Sequence, residues 1–215
     1  MTLSVLVTGF GAFPGAPVNP TEELIGMLAG REDVFDGARL HLRVLPVEYG
    51  KVGGLLEQFG REIQPDIAIH FGLAANARGF RLESTARNHS SMQRADAGAA
   101  MPEGTLIRKG PKSLRSTLPL SEIAAALKAQ GLPVTRSAHA GAYLCNHLFY
   151  LSRSDSIDGY RPRYAGFIHL PYLDDQIGAL PPDQRSGLFT LTRPQLADGA
   201  MTVISQTIEH ADRLR

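Results

Sequence analysis

Cys145 is the only cysteine in a chain of 215 residues, and it stands within the run from Gly141 to Tyr150. Apolar residues at Leu144, Leu148 and Leu151, with Phe149 and Tyr150 beside them, make the i, i+4, i+7 stripe of an amphipathic helix. Gly141 reads as a loop residue ahead of it, so Cys145 falls in the first helical turn. Unpaired backbone N–H groups and the helix dipole favour an anion there, which predicts a lowered thiol pKa and a thiolate nucleophile. The competing reading is that a lone cysteine is a small buried hydrophobe. A nucleophilic thiolate also needs a base or an imidazolium, usually oriented by a third group.

Seven histidines compete for that role. His147 lies two residues from Cys145 on one helix, so the two side chains point apart. His41, His89 and His210 sit in segments that read as exposed. His139 lies in the short loop before the helix and stays open. His70 and His169 each end an apolar strand, and spacing does not choose between them. Other chemistries lack their patterns. There is no G-x-S-x-G elbow, no H-E-x-x-H and no C-x-x-C, so no metal or cofactor is expected. Gly9-Phe10-Gly11 begins like a dinucleotide fingerprint, but Pro14 occupies the third glycine position and the helix starts too late. Arg108, Lys109, Lys112 and Arg115 read as a solvated loop rather than an anion site.

The elements that must carry these residues follow from punctuation and periodicity. Leu3 to Val7, closed by Gly9, reads as a buried strand. Gly9 to Pro20 is a Gly- and Pro-rich loop. Asn19 then caps a helix with Pro20 at its first position, running to about Leu28 and stopped by Gly30. Leu40 to Val47 reads as a strand, Val52 to Ile63 as a helix broken by Pro65, and Asp66 to Phe71 as a strand ending at Gly72. Phe80 to Thr85 is a strand candidate, and Ala95 to Pro111 an irregular excursion outside the sheet. A helix over Pro119–Gln130 places Leu118, Ile123 and Leu127 on one face. Leu132 to Arg136 is a short strand, the Cys145 helix reaches about Arg153, and Tyr164 to Leu170 is a buried strand closed by Pro171. Thr192-Arg193-Pro194 opens a terminal helix with Leu196, Met201, Ile204 and Ile208 inward. This alternation predicts an α/β fold, a three-layer α/β/α sandwich around a twisted, mostly parallel sheet, with residues 1–215 as one domain. Ligands in such folds sit beyond the carboxyl ends of the strands.

Bulk composition narrows the partners. Apolar content of 43% and charged content of 20% describe a globular chain. A net charge of +1 gives no reason to expect nucleic acid or an acidic membrane. No apolar run is long enough to span a bilayer, the first residues read as a strand rather than a leader, and one cysteine suits a reducing, cytoplasmic setting.

Four segments together resemble one family: Val5 to Gly15 with Val18, Asn19 and Pro20; Pro65 to Ala74 leading to Leu82 to Asn88; Ala140 to Tyr150; and Gly166 to Tyr172. In order and spacing they are similar to the pyroglutamyl-peptidase I family of cysteine peptidases, also called pyrrolidone-carboxylate peptidases. The resemblance implies Cys145 as nucleophile, His169 rather than His70 as general base and acid, and Glu83 as the carboxylate that orients the imidazole. It also implies a substrate pocket from Phe10 and Phe13, supported by Asn19, with the Leu73 backbone facing the lactam and Tyr143 and Leu144 as further walls. The expected substrates are peptides with an N-terminal pyroglutamyl residue, cleaved through a Cys145 thioester, and homo-oligomers (dimer or tetramer) occur in the family. Three stretches depart from the family pattern. Residues 94–104 replace its Arg-Ile-Pro-Asp-Asn-x-Gly segment with the arginine one position out of register, Arg87 stands where the family is apolar, and Ala74 to Ala77 replaces a Gly-rich turn. These departures leave two alternatives, a non-catalytic relative that binds a lactam and a cysteine amidase acting on non-peptide amides.

Overall fold

A computed structural model describes residues 2–14, 16–31 and 35–214. In chain order the first half comprises β1 (Leu3–Phe10), α1 (Pro20–Leu28), β2 (Ala38–Leu45), α2 (Tyr49–Glu62), β3 (Ile67–Leu73), β4 (Phe80–Glu83) and β5 (Thr85–Arg87). The second half comprises β6 (Ser113–Arg115), α3 (Leu120–Ala129), β7 (Val134–Ser137), α4 (Leu144–Arg153), β8 (Tyr164–Leu170), β9 (Tyr172–Leu173), β10 (Thr190–Leu191) and α5 (Arg193–Arg213). Among the described residues the main sheet has six strands in the order β2-β1-β3-β8-β4-β7. The first four are mutually parallel. β4 runs antiparallel to β8, and β7 runs alongside β4.

The central strands β1, β3 and β8 are buried on both sides, so both faces of the sheet are apolar there. Val5, Val7, Ile67 and Ile69 pack with Leu24 and Leu28 of α1, Ile123 and Leu127 of α3, and Leu196, Val203 and Ile204 of α5. Leu6, Ala68 and Phe167 turn the other way, against Val52 and Leu56 of α2 and Leu148, Phe149 and Leu151 of α4. This is the expected three-layer sandwich. Each fully buried large side chain contributes roughly 1.5–3 kcal/mol, so the two clusters set the helices against the sheet.

The elements differ from the sequence reading at informative places. β1 runs through Gly9 to Phe10 rather than stopping. Gly9 is needed for close approach: a Cβ there would lie 2.2 Å from the Thr21 carbonyl oxygen. Asn19 caps α1 as expected, its Oδ1 accepting from the Thr21 backbone at 3.1 Å. The strand expected over Phe80–Thr85 breaks at Ser84, where the chain leaves the main sheet and β5 pairs with β6. Residues 88–112 form the excursion between those two strands. Asn88 clamps it, accepting from the Ile107 and Arg108 backbones at 3.0 and 3.1 Å and donating to the Arg108 carbonyl at 2.7 Å. β6, β9 and β10 are two or three residues long, too short to show a period.

The contact at Gly9 carries a prediction, because it seats the α1 start against the strand that ends at Phe10. Gly9→Ala should lower stability by about 1–3 kcal/mol through overpacking, read as a lower urea midpoint with unchanged m-value.

Candidate active site

The antiparallel pairing of β4 with β8 builds the site. Arg81 stands opposite His169 and Glu83 opposite Phe167. Side chains alternate along a strand, so Arg81 and Glu83 share one face and meet Phe167 and His169 across it. Glu83 Oε1 lies 2.8 Å from His169 Nδ1, with the carboxylate fully buried and the imidazole 3% exposed. With Nδ1–H donating to the carboxylate, Nε2 is the basic nitrogen.

Cys145 is the second residue of α4. Tyr143 at the N-cap makes no side-chain hydrogen bond to the first turn. Asn146 fixes the helix start to β5: its Nδ2 donates to the Arg87 and His89 carbonyls at 2.8 and 2.9 Å, and its Oδ1 accepts from the Arg87 backbone at 2.8 Å. The thiol rests over β3 at Gly72, where a Cβ would come within 3.1 Å of Sγ and 2.5 Å of the Phe167 ring. Cys145 and His169 line one cavity of about 670 Å³.

The electrostatics correct one expectation. Burial pushes the Cys145 thiol up to about 12, opposed by the Arg94 guanidinium, so the helix start does not yield a resting thiolate. Burial also lowers His169, against the opposing pull of Glu83. Glu83 itself stays below the usual carboxylate range: burial acts to raise it, but the His169 hydrogen bond, the charge His169 carries when protonated, the Ser137 hydrogen bond and, last, the Arg81 charge outweigh that. The empty site therefore holds a neutral thiol and a neutral imidazole beside an ionised carboxylate.

The remaining histidines separate clearly. His70 is fully buried, with Nδ1 at 2.8 Å from Thr8 Oγ1 and Nε2 at 2.7 Å from Ser152 Oγ. Both nitrogens are committed, and burial lowers its pKa to about 3. His147 faces away from the Cys145 cavity, stacking edge-on with Tyr49 at 5.2 Å. His139 does line the cavity, and its Nδ1 accepts from the Gly141 backbone at 2.9 Å. His89 is exposed as expected. His41 is half-buried, and so is His210, which lies 2.8 Å from Glu122 Oε1 and edge-on to Tyr164. Neither is fully exposed, and His210 of α5 packs across onto α3 and β8.

All six expected pocket residues line the same cavity: Phe10, Phe13, Asn19, Leu73, Tyr143 and Leu144. Asn19 serves both expected purposes, capping α1 and donating from Nδ2 to the Gly11 carbonyl at 2.9 Å. Val47, Arg81 and Arg94 also line it, of which the sequence marked only Arg94, as a departure from the family pattern. The Arg94 guanidinium lies 4.2 Å from the Tyr143 ring centroid and 5.5 Å from that of Phe13. Asp96 fixes this segment, its Oδ1 accepting from Gly98 and Ala100 at 2.9 Å and its Oδ2 from the Tyr49 backbone at 2.8 Å. Asp-x-Gly at 96–98 is a turn signal that could have marked the stretch as ordered.

A thiol, an imidazole and a buried carboxylate at the end of an α/β sheet define a cysteine-type hydrolase. The family model described as pyroglutamyl peptidase matches residues 3–190. The chain belongs to the pyroglutamyl peptidase family, cysteine-type hydrolases that remove an N-terminal pyroglutamyl residue. It is 38% identical over 187 residues to the pyrrolidone-carboxylate peptidase of Pyrococcus furiosus, covering 84% of this chain and 89% of that protein. It is 32% identical over 214 residues to pyrrolidone-carboxylate peptidase 1 of Ralstonia nicotianae, covering 99% and 96%. Among solved structures, a mutant pyrrolidone carboxyl peptidase from Pyrococcus furiosus superimposes with a TM-score of 0.88 at 35% identity, covering 96% of this chain and 99% of that one. The Fervidobacterium islandicum enzyme gives 0.87 at 31% identity, covering 97% and 99%.

His70 generates a pH prediction. Its folded pKa of about 3 lies below the unfolded value of 6.5, so its stabilisation is complete above about pH 6.5 and is lost as pH falls towards 3. Melting temperature should therefore drop on acidification below pH 6.5. His70→Gln should start lower at neutral pH and decline less steeply.

Proposed function

We propose that this cavity cleaves the amide bond after an N-terminal pyroglutamyl residue, with Cys145 as nucleophile, His169 as general base and acid, and Glu83 holding the imidazole. The observation that carries the reading is the buried Glu83–His169 hydrogen bond on the cavity that also takes the Cys145 thiol. Because the resting pair is neutral, His169 Nε2 takes the thiol proton as Sγ attacks the carbonyl. The imidazolium so formed is stabilised by Glu83. In this reading the oxyanion is received by backbone N–H groups in the first turn of α4. Collapse breaks the C–N bond, His169 returns the proton to the departing amine, and a thioester remains. Water, deprotonated by the same imidazole, then releases pyroglutamate and restores the thiol.

The walls suit this substrate. A lactam ring is neutral and flat, and Phe10, Phe13, Leu73, Tyr143 and Leu144 offer aromatic and aliphatic surface, with Asn19 supporting the Phe10–Phe13 loop. A free α-ammonium would enter beside the Arg94 cation and lose its water without gaining a partner, so ordinary amino termini are rejected. The substrates are peptides with a blocked pyroglutamyl end. No helix among the described residues is long and apolar enough to cross a membrane. A single working thiol suits the reducing cytoplasm. The family resemblance supports assembly as a dimer or tetramer, and the packing of α5 back onto the sheet supports one domain over 1–215.

A pyroglutamyl-amide reporter tests the reading. Wild type should turn it over, while alkylation, Cys145→Ser and His169→Ala should each lower kcat/KM by at least about 10³-fold. His70→Ala should stay within about tenfold of wild type. Cleavage of alanyl or prolyl reporters in preference to the pyroglutamyl one would overturn the substrate assignment.

A further inference from the structure

Two donors converge on one oxygen of Glu83, and the reaction described above uses only one of them. Its Oε1 accepts from His169 Nδ1 at 2.8 Å and from Arg81 Nε at 2.9 Å. Its Oε2 has no hydrogen-bond partner among the described residues. Arg81 is fixed at its other end, where Nη1 donates to Asn76 Oδ1 at 2.9 Å across the loop between β3 and β4. Both Arg81 and Asn76 line the cavity.

We propose that Arg81 is a positioning residue of the reaction: its guanidinium, anchored on Asn76, holds the Glu83 carboxylate behind His169 and sets how far into acid the site keeps working. The proposal rests on the reading of Cys145, His169 and Glu83 given above.

Two observations separate this pair from a surface ion pair. Arg61–Glu57, Arg193–Glu23 and Arg193–Asp175 join side chains that are 44% exposed or more, where water screens them and little is gained. Arg81–Glu83 joins a side chain 21% exposed to one with no exposure. A carboxylate without water needs a counter-charge or it takes up a proton. In the resting site the imidazole is neutral and supplies only a dipole, so Arg81 is the cation in hydrogen-bond contact with Glu83. A protonated Glu83 would have no charge with which to stabilise the imidazolium.

Arg81 has a second effect of the same sign. It stands directly opposite His169 on β8, and its charge disfavours the imidazolium, which keeps the base unprotonated to lower pH. The other groups facing this centre are the neutral Asn76 from the β3–β4 loop, the Ser137 hydroxyl from β7, the Cys145 thiol from α4, and, around the cavity, His139, Arg94, Tyr143 and Tyr172. The Arg94 charge and, more weakly, the Arg81 charge favour the thiolate of Cys145, so loss of Arg81 acts on the thiol in the same direction. Removing Arg81 therefore raises both the Glu83 and the His169 pKa, and each change moves the acidic limb of activity towards higher pH.

The experiment compares wild type, Arg81→Met and Arg81→Lys in kcat/KM for the pyroglutamyl reporter from pH 5 to 9, with melting curves to establish folding. Arg81→Met should lose about tenfold more at pH 6 than at pH 8, the equivalent of one pH unit in the acidic limb, and Arg81→Lys should restore most of the difference. In carbon-13 NMR the Glu83 carboxyl signal, identified by its absence in Glu83→Gln, should titrate about one pH unit higher in Arg81→Met. A uniform loss at every pH, or a Glu83 titration that does not move, would show that Arg81 only ties the loop to the strand. If Arg81→Met does not fold, Asn76→Ala, which loosens the guanidinium without removing it, should show a smaller shift in the same direction, and no shift overturns the proposal. Absence of pyroglutamyl turnover in wild type would sink the reading of the site, while the Glu83 titration would still decide the role of Arg81.

Discussion

Glu83 is a carboxylate with no exposed surface, and an ion in that position survives only where hydrogen bonds and a neighbouring cation replace its water. The surrounding structure is arranged to meet that condition. β4 must run against β8 rather than with it, so that Arg81 falls opposite His169 and Glu83 reaches diagonally to its ring. β5 must then leave the sheet and lie where Asn146 can bind its backbone, which sets the start of α4 and so the thiol. Gly72 and the Phe167 ring form the floor on which that thiol rests. A displaced β4 would disturb the carboxylate, the base and the helix start together.

In the proposed reaction the thiol and imidazole become charged only during turnover, beside the standing charges of Glu83, Arg81 and Arg94. A neutral thiol, a neutral imidazole and a neutral lactam face one another, with the ionised carboxylate behind the ring. On that proposal, proton transfer from Cys145 to His169 creates an anion near the first turn of α4 and a cation beside Glu83. The protein's fixed dipoles thus interact more strongly with the transition state than with the resting complex, which is the requirement for a faster chemical step. The apolar walls strengthen the effect by lowering the local dielectric.

Much of this was legible in the sequence where a local rule applies. The buried strands at Leu3 and Tyr164, the Asn19-Pro20 helix entry and the amphipathic stripe after Cys145 each follow from spacing or capping chemistry, and each is present. What escaped depends on contacts between distant segments. The direction of β4 is not encoded in Phe80–Glu83, because alternation is the same for either direction of pairing. His70 lies within β3, where Thr8 and Ser152 occupy both its nitrogens, whereas His169 stands two places further along the paired strands, opposite Gly72, with Glu83 at Nδ1 alone. The state of Cys145 was misread because helix-start reasoning omits the burial imposed by β3 and Phe167. Arg81 was two residues from an identified carboxylate on a strand, and period two would have put both on one face.

The protonated resting thiol has a consequence beyond catalysis. Peroxides and disulfides react with thiolates, not thiols. A cysteine whose pKa burial has pushed up to about 12 presents almost no thiolate near neutrality while the cavity is empty. The protein has one sulfhydryl and thus no second cysteine of its own to resolve an oxidised one as a disulfide. Burial therefore acts against the thiolate form through which an exposed, acidic cysteine meets oxidants.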